Sequence, residues 1–262
     1  MSFTLATWNI NSVRLREPLV CKLLAEEGPD VLCLQECKSP VDKIPVERFH
    51  ALGYEHMVAQ GQKGYNGVAI LSRLPLKDAG SRDFASLGHA RHVAAKLENG
   101  VVIHNFYVPA GGDVPDREVN DKFGQKLDYL AEMRDAFHAD RPGKSVLVGD
   151  LNIAPREDDV WDHKKLLKVV SHTPVEVNAM ADTQDAGGWV DVTRQDIPSG
   201  QLYSWWSYRA REWDVADKGR RLDHIWATPD ISSAAHGSRV LRTARGWEKP
   251  SDHAPVFATF DL

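Results

Sequence analysis

The sequence predicts an α/β protein built as two packed β-sheets with helices outside. The chain has 262 residues, 42% of them hydrophobic and 26% charged, which is a globular composition with enough chain for a sizeable core. Apolar runs of strand length outnumber amphipathic helical segments. No segment rich in Pro, Gly or Ser divides the chain, so we expect one domain over residues 1–262. A boundary near Arg141-Pro142-Gly143 is the alternative.

The first elements form a strand–helix–strand unit. Residues 3–8 are an apolar run typical of a buried strand, and residues 30–35 form a second one. Between them, leucines recur at helical spacing over residues 14–27, and Gly28-Pro29 ends that helix. This order predicts two adjacent strands in the centre of a sheet.

The rest of the chain adds more strands than helices. Glu98-Asn99-Gly100 separates two of the strands and predicts a β-hairpin. Phe123, Leu127 and Leu130 recur at helical spacing in one long amphipathic helix. We expect this helix over residues 117–138, and strands over residues 54–59, 67–72, 93–97, 101–107, 146–149, 203–206, 222–227, 238–241 and 256–260.

Polar side chains stand at the ends of these apolar strands. Any one of them alone is more typical of a turn or a helix cap, and only the set as a whole indicates a functional site. Strand ends at one edge of packed sheets converge on a common cleft, where ligands usually bind. The set contains carboxylates, amides, a histidine and a tyrosine: Asn9, Asn11, Glu36, Tyr107, Asp150, Asn152, Asp223, Asp252 and His253.

The ligand types in this set indicate a hard cation. Carboxylate and amide oxygens without thiolates suit Mg²⁺, with Mn²⁺ as a substitute, rather than zinc. Glu36 is the best single ligand, with Asp252 and the pair Asp150 and Asn152 nearby. The sequence therefore predicts a magnesium site at this edge.

Net charge and cysteine content indicate which kinds of partner and which cellular compartment the protein has. A net charge of −5 argues against a protein that coats nucleic acid indiscriminately. Residues 194–249 nevertheless hold ten Lys and Arg against seven Asp and Glu, which allows one basic face. Cys21, Cys33 and Cys37 are expected to be small buried fillers in a reduced, cytoplasmic protein. Without a long apolar run, a secretory signal or a self-complementary strip, we expect no membrane span and a monomer.

Seven short motifs occur in a fixed order along the chain. They include Gln-Glu-x-Lys at 35–38, Tyr-x-Pro at 107–109, Gly-Asp-x-Asn at 149–152 and Ser-Asp-His at 251–253, and a Ser-Trp-Trp-Ser-Tyr stretch lies at 204–208. With these motifs the chain resembles, over its whole length, the exonuclease III-type apurinic/apyrimidinic (AP) endonucleases of the endonuclease/exonuclease/phosphatase superfamily. The motifs occupy residues 8–14, 34–38, 61–69, 105–109, 149–155, 221–224 and 248–255.

The resemblance implies a fold and a metal site. The fold would be a four-layer α/β sandwich of the DNase I-like type, with two packed mixed β-sheets flanked by helices. Glu36 would be the principal metal ligand, and Asn9 would help to hold the metal or its water. Asp150, Asn152 and Asp252 would complete the site, with Asp252 as a metal-linked catalytic carboxylate.

The resemblance also implies catalytic roles at the strand ends. Asp150 would align or deprotonate the attacking water, and Asn152 would support it and help to stabilise the transition state. Tyr107 and His253 would contact the scissile phosphate. Asp223 would orient that histidine.

The implied reaction is phosphodiester hydrolysis, in which water attacks phosphorus in line and the 3′ oxygen leaves. On double-stranded DNA this would cut 5′ to an abasic site, and at 3′ ends it would give trimming and 3′→5′ exodeoxyribonuclease activity. Trp205 matches a family aromatic that lines the pocket for an extrahelical abasic sugar, and Leu222 would line it too. Asn11, Lys38 and Arg91 would be contacts to the substrate or its phosphates.

Two other functions use the same scaffold. A superfamily phosphatase acting on a small or lipid phosphate would share the metal site but lack the Trp/Arg stretch at 203–213. A non-catalytic RNA-binding regulator would be expected to lose catalytic residues, which are all present here. The chain departs from some relatives at Arg220, where they carry an aromatic pocket wall, and at Asp113, where they place a DNA-inserting Gln or Arg.

Overall fold

The strands form where buried apolar runs occur in the sequence. The computed structural model describes residues 2–262 of the chain. In chain order, the strands are β1 (Ser2–Asn9), β2 (Val31–Gln35), β3 (His56–Gln60), β4 (Val68–Ser72), β5 (Leu76–Gly80), β6 (His92–Leu97), β7 (Val102–Tyr107), β8 (Ser145–Asp150), β9 (Val190–Asp191), β10 (Trp205–Trp206), β11 (Gly219–Arg220), β12 (Asp223–Ala227), β13 (Ala235–Val240) and β14 (Val256–Asp261).

The two longest helices begin at residues that satisfy their first backbone N–H groups. The Asn120 side chain accepts a hydrogen bond from the Lys122 N–H at the start of one. Thr173 and Glu176 form a capping box at the start of the other. The helices are α1 (Glu17–Glu26), α2 (Val46–His50), α3 (Asp121–Ala139), α4 (His163–Leu166), α5 (Pro174–Gly187), α6 (Val192–Asp196), α7 (Trp213–Ala216) and α8 (Pro229–Ser232), with short 3₁₀ turns at Val41–Lys43, Phe84–Ser86, Glu157–Asp159 and Arg242–Gly246.

Each sheet pairs strands from both halves of the chain. The first sheet has the order β13-β14-β1-β2-β4-β3, and the second has the order β5-β6-β7-β8-β12-β9. The pairs β1–β2 and β7–β8 are parallel and their neighbours are antiparallel, so both sheets are mixed. The predicted adjacent central strands are β1 and β2, and the predicted hairpin is β6–β7. The predicted fold class is confirmed.

Apolar side chains pack between the sheets and on their outer faces. Leu5 and Val31 of the first sheet share one cluster with Ile103 and Val148 of the second. A second cluster joins the other face of the first sheet to α1 and α2. A third joins the other face of the second sheet to α3 and α5. The layers therefore follow the order helix, sheet, sheet, helix.

A buried polar pair crosses the interface between the sheets. Gln35 of β2 donates from Nε2 to Asn105 Oδ1 of β7 at 2.7 Å and to Thr7 Oγ1 at 2.9 Å. Asn105 in turn donates from Nδ2 to the carbonyl oxygens of Leu34 and Ala69, both at 3.0 Å. Both side chains are fully buried, and these bonds replace water at the Gln35 Nε2 group and at both polar atoms of the Asn105 amide, whereas Gln35 Oε1 is buried without a partner. They fix β2 against β7 directly below the strand ends.

Some elements differ from the sequence prediction. The long helix covers Asp121–Ala139 rather than residues 117–138, and the predicted strand at 203–206 pairs only at Trp205–Trp206. β5 and α5 were not predicted, because β5 is a largely exposed edge strand and α5 buries few apolar side chains. The capping box at the start of α5 was the available signal for that helix.

The helices and the cysteines can be compared with the sequence expectations for membrane spans and buried thiols. Among residues 2–262, no helix is both long enough and apolar enough to cross a lipid bilayer. All three cysteines carry free thiols. Cys33 and Cys37 are buried fillers as predicted, whereas Cys21 is half-buried.

We expect Asn105→Leu to lower the free energy of unfolding by about 1–3 kcal/mol, because it removes the closest acceptor of the Gln35 amide and one donor to each of the Leu34 and Ala69 carbonyl oxygens. Urea denaturation followed by circular dichroism measures the loss. Asn178→Leu on the exposed surface of α5 is the control and should change stability by less than about 0.5 kcal/mol. Equal stability of Asn105→Leu and the wild type would show that the pair contributes nothing.

Candidate active site

The strand ends meet at one edge of the two sheets and form a cleft of about 1110 Å³. The first sheet contributes the ends of β1 and β2, and the second contributes the ends of β7 and β8 and the start of β12. The loop before β14 completes the cleft. Eight predicted site residues line it: Glu36, Tyr107, Asp150, Asn152, Trp205, Leu222, Asp252 and His253.

Unusual backbone conformations orient the site residues. Glu36 and Asn152 follow β2 and β8 with positive φ values of 50° and 55°, which side-chain-bearing residues adopt at a cost. Gly149 has a φ of 137°, and a Cβ there would lie 1.8 Å from the Phe106 carbonyl oxygen. Only glycine allows β8 to approach β7 so closely. The turned backbone brings Asn152 Nδ2 within 3.1 Å of Asp150 Oδ2.

Glu36 is held as a carboxylate by two donors. The Tyr107 hydroxyl donates to Oε1 at 2.5 Å, and Lys38 Nζ lies 2.8 Å from Oε2. Burial raises the pKa of Glu36, but the bonds from Lys38 and Tyr107 lower it more, so that its pKa is below the ordinary value. Burial and the Glu36 charge raise the pKa of Tyr107 well above its usual range, so the phenol keeps its proton and stays a donor.

Asp150 is fully buried and accepts hydrogen bonds from amides. Asn9 Nδ2 donates to Oδ2 at 2.9 Å, and the Asn152 backbone N–H donates to Oδ1 at 3.0 Å. Burial raises the pKa of Asp150, and the neighbouring His253 charge opposes this only in part. Asp150 is therefore the acid of the cleft that is best suited to accept a proton.

His253 lies between two buried carboxylates. Its Nδ1 donates to Asp223 Oδ2 at 2.8 Å, and its Nε2 lies 3.7 Å from Asp150 Oδ2. Burial lowers the pKa of His253, but the Asp223 and Asp150 charges raise it more, to about 10. The ring is therefore a cation at neutral pH. Ser204 Oγ donates to Asp223 Oδ2 at 2.6 Å and fixes the carboxylate that orients the ring.

Asp252 joins the acidic side of the cleft to its aromatic wall. Trp205 Nε1 donates to Oδ2 at 2.9 Å, and Asn11 Nδ2 donates to Oδ1 at 3.2 Å. Burial raises the pKa of Asp252, but the His253 charge and the Trp205 bond lower it more. Trp205 and Leu222 pack in one apolar cluster at the wall.

Two predicted phosphate contacts lie behind the cleft wall. Lys38 Nζ bonds Glu36 and, at 2.6 Å, Asn11 Oδ1. The Arg91 guanidinium stacks 4.5 Å from the Tyr107 ring centroid and donates to the Tyr107 carbonyl at 3.2 Å. Both therefore support residues of the cleft, and their contact with a phosphate stays a prediction.

The charges of the cleft suit a divalent cation. Four carboxylates, Glu36, Asp150, Asp223 and Asp252, lie close to two cations, the Lys38 ammonium and the His253 ring, so the acids outnumber the bases at this end of the cleft. Asp150, Asp223 and His253 place possible ligand atoms within 4.8 Å of one another, but Asp223 Oδ2 is already bonded to His253 and Ser204. Glu36, Asp150, Asn152 and Asp252 line the cleft, with Asn9 bonded to Glu36 and Asp150, and their binding of a cation stays a prediction.

Comparison with known proteins agrees with this geometry. Residues 6–253 match the profile of the Endonuclease/Exonuclease/phosphatase family. The chain belongs to this family. It is 29% identical over 268 residues to exodeoxyribonuclease III of Haemophilus influenzae, a match that covers 97% of this chain and 98% of that protein.

Solved structures of family members have the same fold. An AP endonuclease from Archaeoglobus fulgidus matches with a TM-score of 0.92 at 33% identity, over 99% of this chain and 100% of that one. A 3′ phosphatase from Neisseria bound to a product DNA hairpin matches with a TM-score of 0.90 at 36% identity, over the same shares. The predicted resemblance is confirmed, and so is the prediction that this family member is an enzyme, a phosphodiester hydrolase.

Sequence patterns missed residues that hold the cleft of this family member together. Lys126 of α3 is fully buried, and its Nζ contacts Glu176 Oε1 at 2.5 Å and the Asn152 carbonyl oxygen at 2.8 Å. Glu176 also accepts from the N–H of Ser171, which lines the cleft. Lys126 and Glu176 are 50 residues apart, and only the capping box with Thr173 marked Glu176 in the sequence.

We expect Asp223→Asn to lower the pKa of His253 by at least about one pH unit in the metal-free protein, because a neutral amide no longer stabilises the protonated ring. Titration of the histidine ring signals by NMR measures the change. His104, buried among aromatic rings elsewhere in the second sheet, is the internal control. A His253 midpoint that stays at the wild-type pH would contradict the pairing.

Proposed function

We propose that the chain is a Mg²⁺-dependent DNA-repair nuclease. It hydrolyses phosphodiesters 5′ to abasic sites in duplex DNA, trims 3′ ends and acts as a 3′→5′ exodeoxyribonuclease. The observation that carries the proposal is the cleft, in which the buried acid Asp150, the cationic His253 and the aromatic wall of Trp205 lie together. The family relatives named exodeoxyribonuclease III and AP endonuclease support it.

The residues of the cleft divide the chemistry among them. Asp150 accepts the proton of the attacking water, and the amides of Asn9 and Asn152 hold its carboxylate in place. His253, oriented by Asp223, donates from Nε2 to a phosphate oxygen as charge develops there.

Tyr107 lies beside Glu36 on the cleft wall, and its phenol would turn from Glu36 to donate to the scissile phosphate when the substrate binds. Glu36, Asp150 and Asp252, with the amides of Asn9 and Asn152, would hold Mg²⁺ or its substitute Mn²⁺. Such an ion would neutralise the negative charge on the phosphate and on the leaving oxygen.

The rim of the cleft suits duplex DNA better than a small phosphate. Arg209, Arg211 and Lys218 line the cleft beyond Trp205. Basic side chains of this kind neutralise backbone phosphates, and the aromatic wall accepts a sugar turned out of the helix. The DNA hairpin bound to the Neisseria 3′ phosphatase supports a nucleic-acid substrate.

The proposed enzyme works as one domain over residues 1–262 and as a cytoplasmic monomer. β1 pairs with β14, and β7 pairs with β8, so hydrogen-bonded ladders join the two sides of the alternative boundary near residue 142. The pairing supports one domain. The monomer and its location follow from the sequence expectations alone.

The proposed activity is tested with a duplex that contains one abasic-site analogue. We expect incision immediately 5′ to the analogue with Mg²⁺ and none with EDTA, resolved on a denaturing gel. A separate undamaged duplex with a recessed 3′ end should yield a ladder from that end. Binding of RNA without cleavage of either duplex would favour the regulator instead, and hydrolysis of a small phosphate alone would favour the phosphatase.

We expect Asp150→Asn to lower kcat at least ~100-fold with little change in DNA affinity, because the amide cannot accept the proton of water. Single-turnover incision and fluorescence anisotropy measure the two quantities. Asp113→Asn makes the same chemical change on an exposed residue of the same cleft and should keep near-normal turnover. A near-normal rate for Asp150→Asn would remove Asp150 from the role of base.

A further inference from the structure

Arg220 places a cation in the aromatic wall of the cleft. Its strand β11 pairs with β10, so that Arg220 lies directly opposite Trp205. The guanidinium carbon is 5.3 Å from the centroid of the Trp205 ring, and both residues line the cleft with Leu222. The wall that would hold an extrahelical sugar is therefore apolar on one side and cationic on the other.

The guanidinium is fixed in place but not neutralised. Nη1 donates to the Val170 carbonyl at 2.9 Å and to Ser171 Oγ at 2.8 Å. Nε is buried without a hydrogen-bond partner, and Nη2 forms no hydrogen bond and is not enclosed. Among the described residues Arg220 forms no ion pair, and Glu176, whose charge acts on it, is itself paired with Lys126. A rigid guanidinium with an unused donor on a cleft wall suits a phosphate oxygen.

The indole of Trp205 connects Arg220 to the acidic side of the cleft. Its face meets the guanidinium, and its Nε1 donates to Asp252 at 2.9 Å. The Trp205 indole thus separates Arg220 from the acids beside which the scissile phosphate is proposed to bind. A nucleotide residue in this pocket carries two phosphates, the scissile one on its 5′ side and another on its 3′ side. The scissile phosphate is proposed to bind beside the acids, which leaves the 3′-side phosphate to contact the cationic wall.

We infer that Arg220 binds the phosphate on the 3′ side of the residue held in the pocket. The inference rests on the proposed nuclease function and names a group of the substrate that the enzyme reads. It makes an internal abasic residue, which carries both phosphates, a better substrate than the same residue at a 3′-hydroxyl end. Arg220 is in this sense a specificity-determining residue, separate from the groups that perform the hydrolysis.

The test uses two duplexes with an internal abasic analogue. One has a normal phosphodiester on the 3′ side of the analogue, and the other has a neutral methylphosphonate there. For the wild type we expect the methylphosphonate to lower kcat/KM about tenfold or more, because it removes the charge that Arg220 pairs with. For Arg220→Met we expect nearly equal kcat/KM on the two duplexes. Arg220→Lys, which keeps the charge, should restore part of the discrimination.

Controls separate a contact from a structural brace. Arg220→Gln keeps a donor for the Ser171 side and should fold normally, yet it should also lose the discrimination. Arg209→Met, on the exposed rim of the same cleft, should lower kcat/KM on both duplexes by the same factor. Equal discrimination in the wild type and Arg220→Met, or none in the wild type, would overturn the inference while incision persists. Absence of metal-dependent incision of the normal duplex would overturn the proposed function, and the inference with it.

Discussion

The hydrogen bond between Gln35 and Asn105 sets the position of one sheet against the other, and the cleft depends on that position. Apolar packing alone permits two sheets to slide, because the hydrophobic effect is not directional. A buried amide pair is directional, and an amide left without its partner costs free energy. With β2 and β7 fixed in this way, Glu36 and Tyr107 meet at 2.5 Å above them.

Several carboxyl groups are buried together in the cleft, and the hydrogen-bond donors around each one set its pKa. Glu36 and Asp252 receive bonds from an ammonium, a phenol or an indole, and their pKa values lie below the ordinary range. Asp150 has amide donors and a histidine at 3.7 Å, and burial raises its pKa. The first two are therefore suited to constant charge and the third to proton transfer. The net charge of −5 is a sum over the whole chain, so it reveals neither the acidic cleft nor its basic rim.

Local signals in the sequence predicted most of the fold and eight residues that line the cleft. Apolar runs mark strands whether or not their partners are known, and polar residues at their ends converge because the sheets share an edge. The sequence did not predict the contacts between distant segments. Lys126 and Glu176 are ordinary residues until the chain folds and buries them together, and no local signal linked Ser204 to Asp223. Helix α5, whose surface is largely polar, was missed because its hydrophobic periodicity is weak.

Trp205 contributes both to the pocket wall and to the acidic side of the cleft. Its ring forms a wall of the pocket, and its indole nitrogen bonds Asp252 on the acidic side. In the proposed enzyme, a substitution of Trp205 would change the pocket and also remove a donor to Asp252, so substrate range and turnover would be linked at this residue. Leu222 and Arg220 of the same wall have no such link, because their side chains make no bond to the acids. If the proposed enzyme diverges toward other DNA lesions, we therefore expect the substitutions at Arg220 and Leu222 rather than at Trp205.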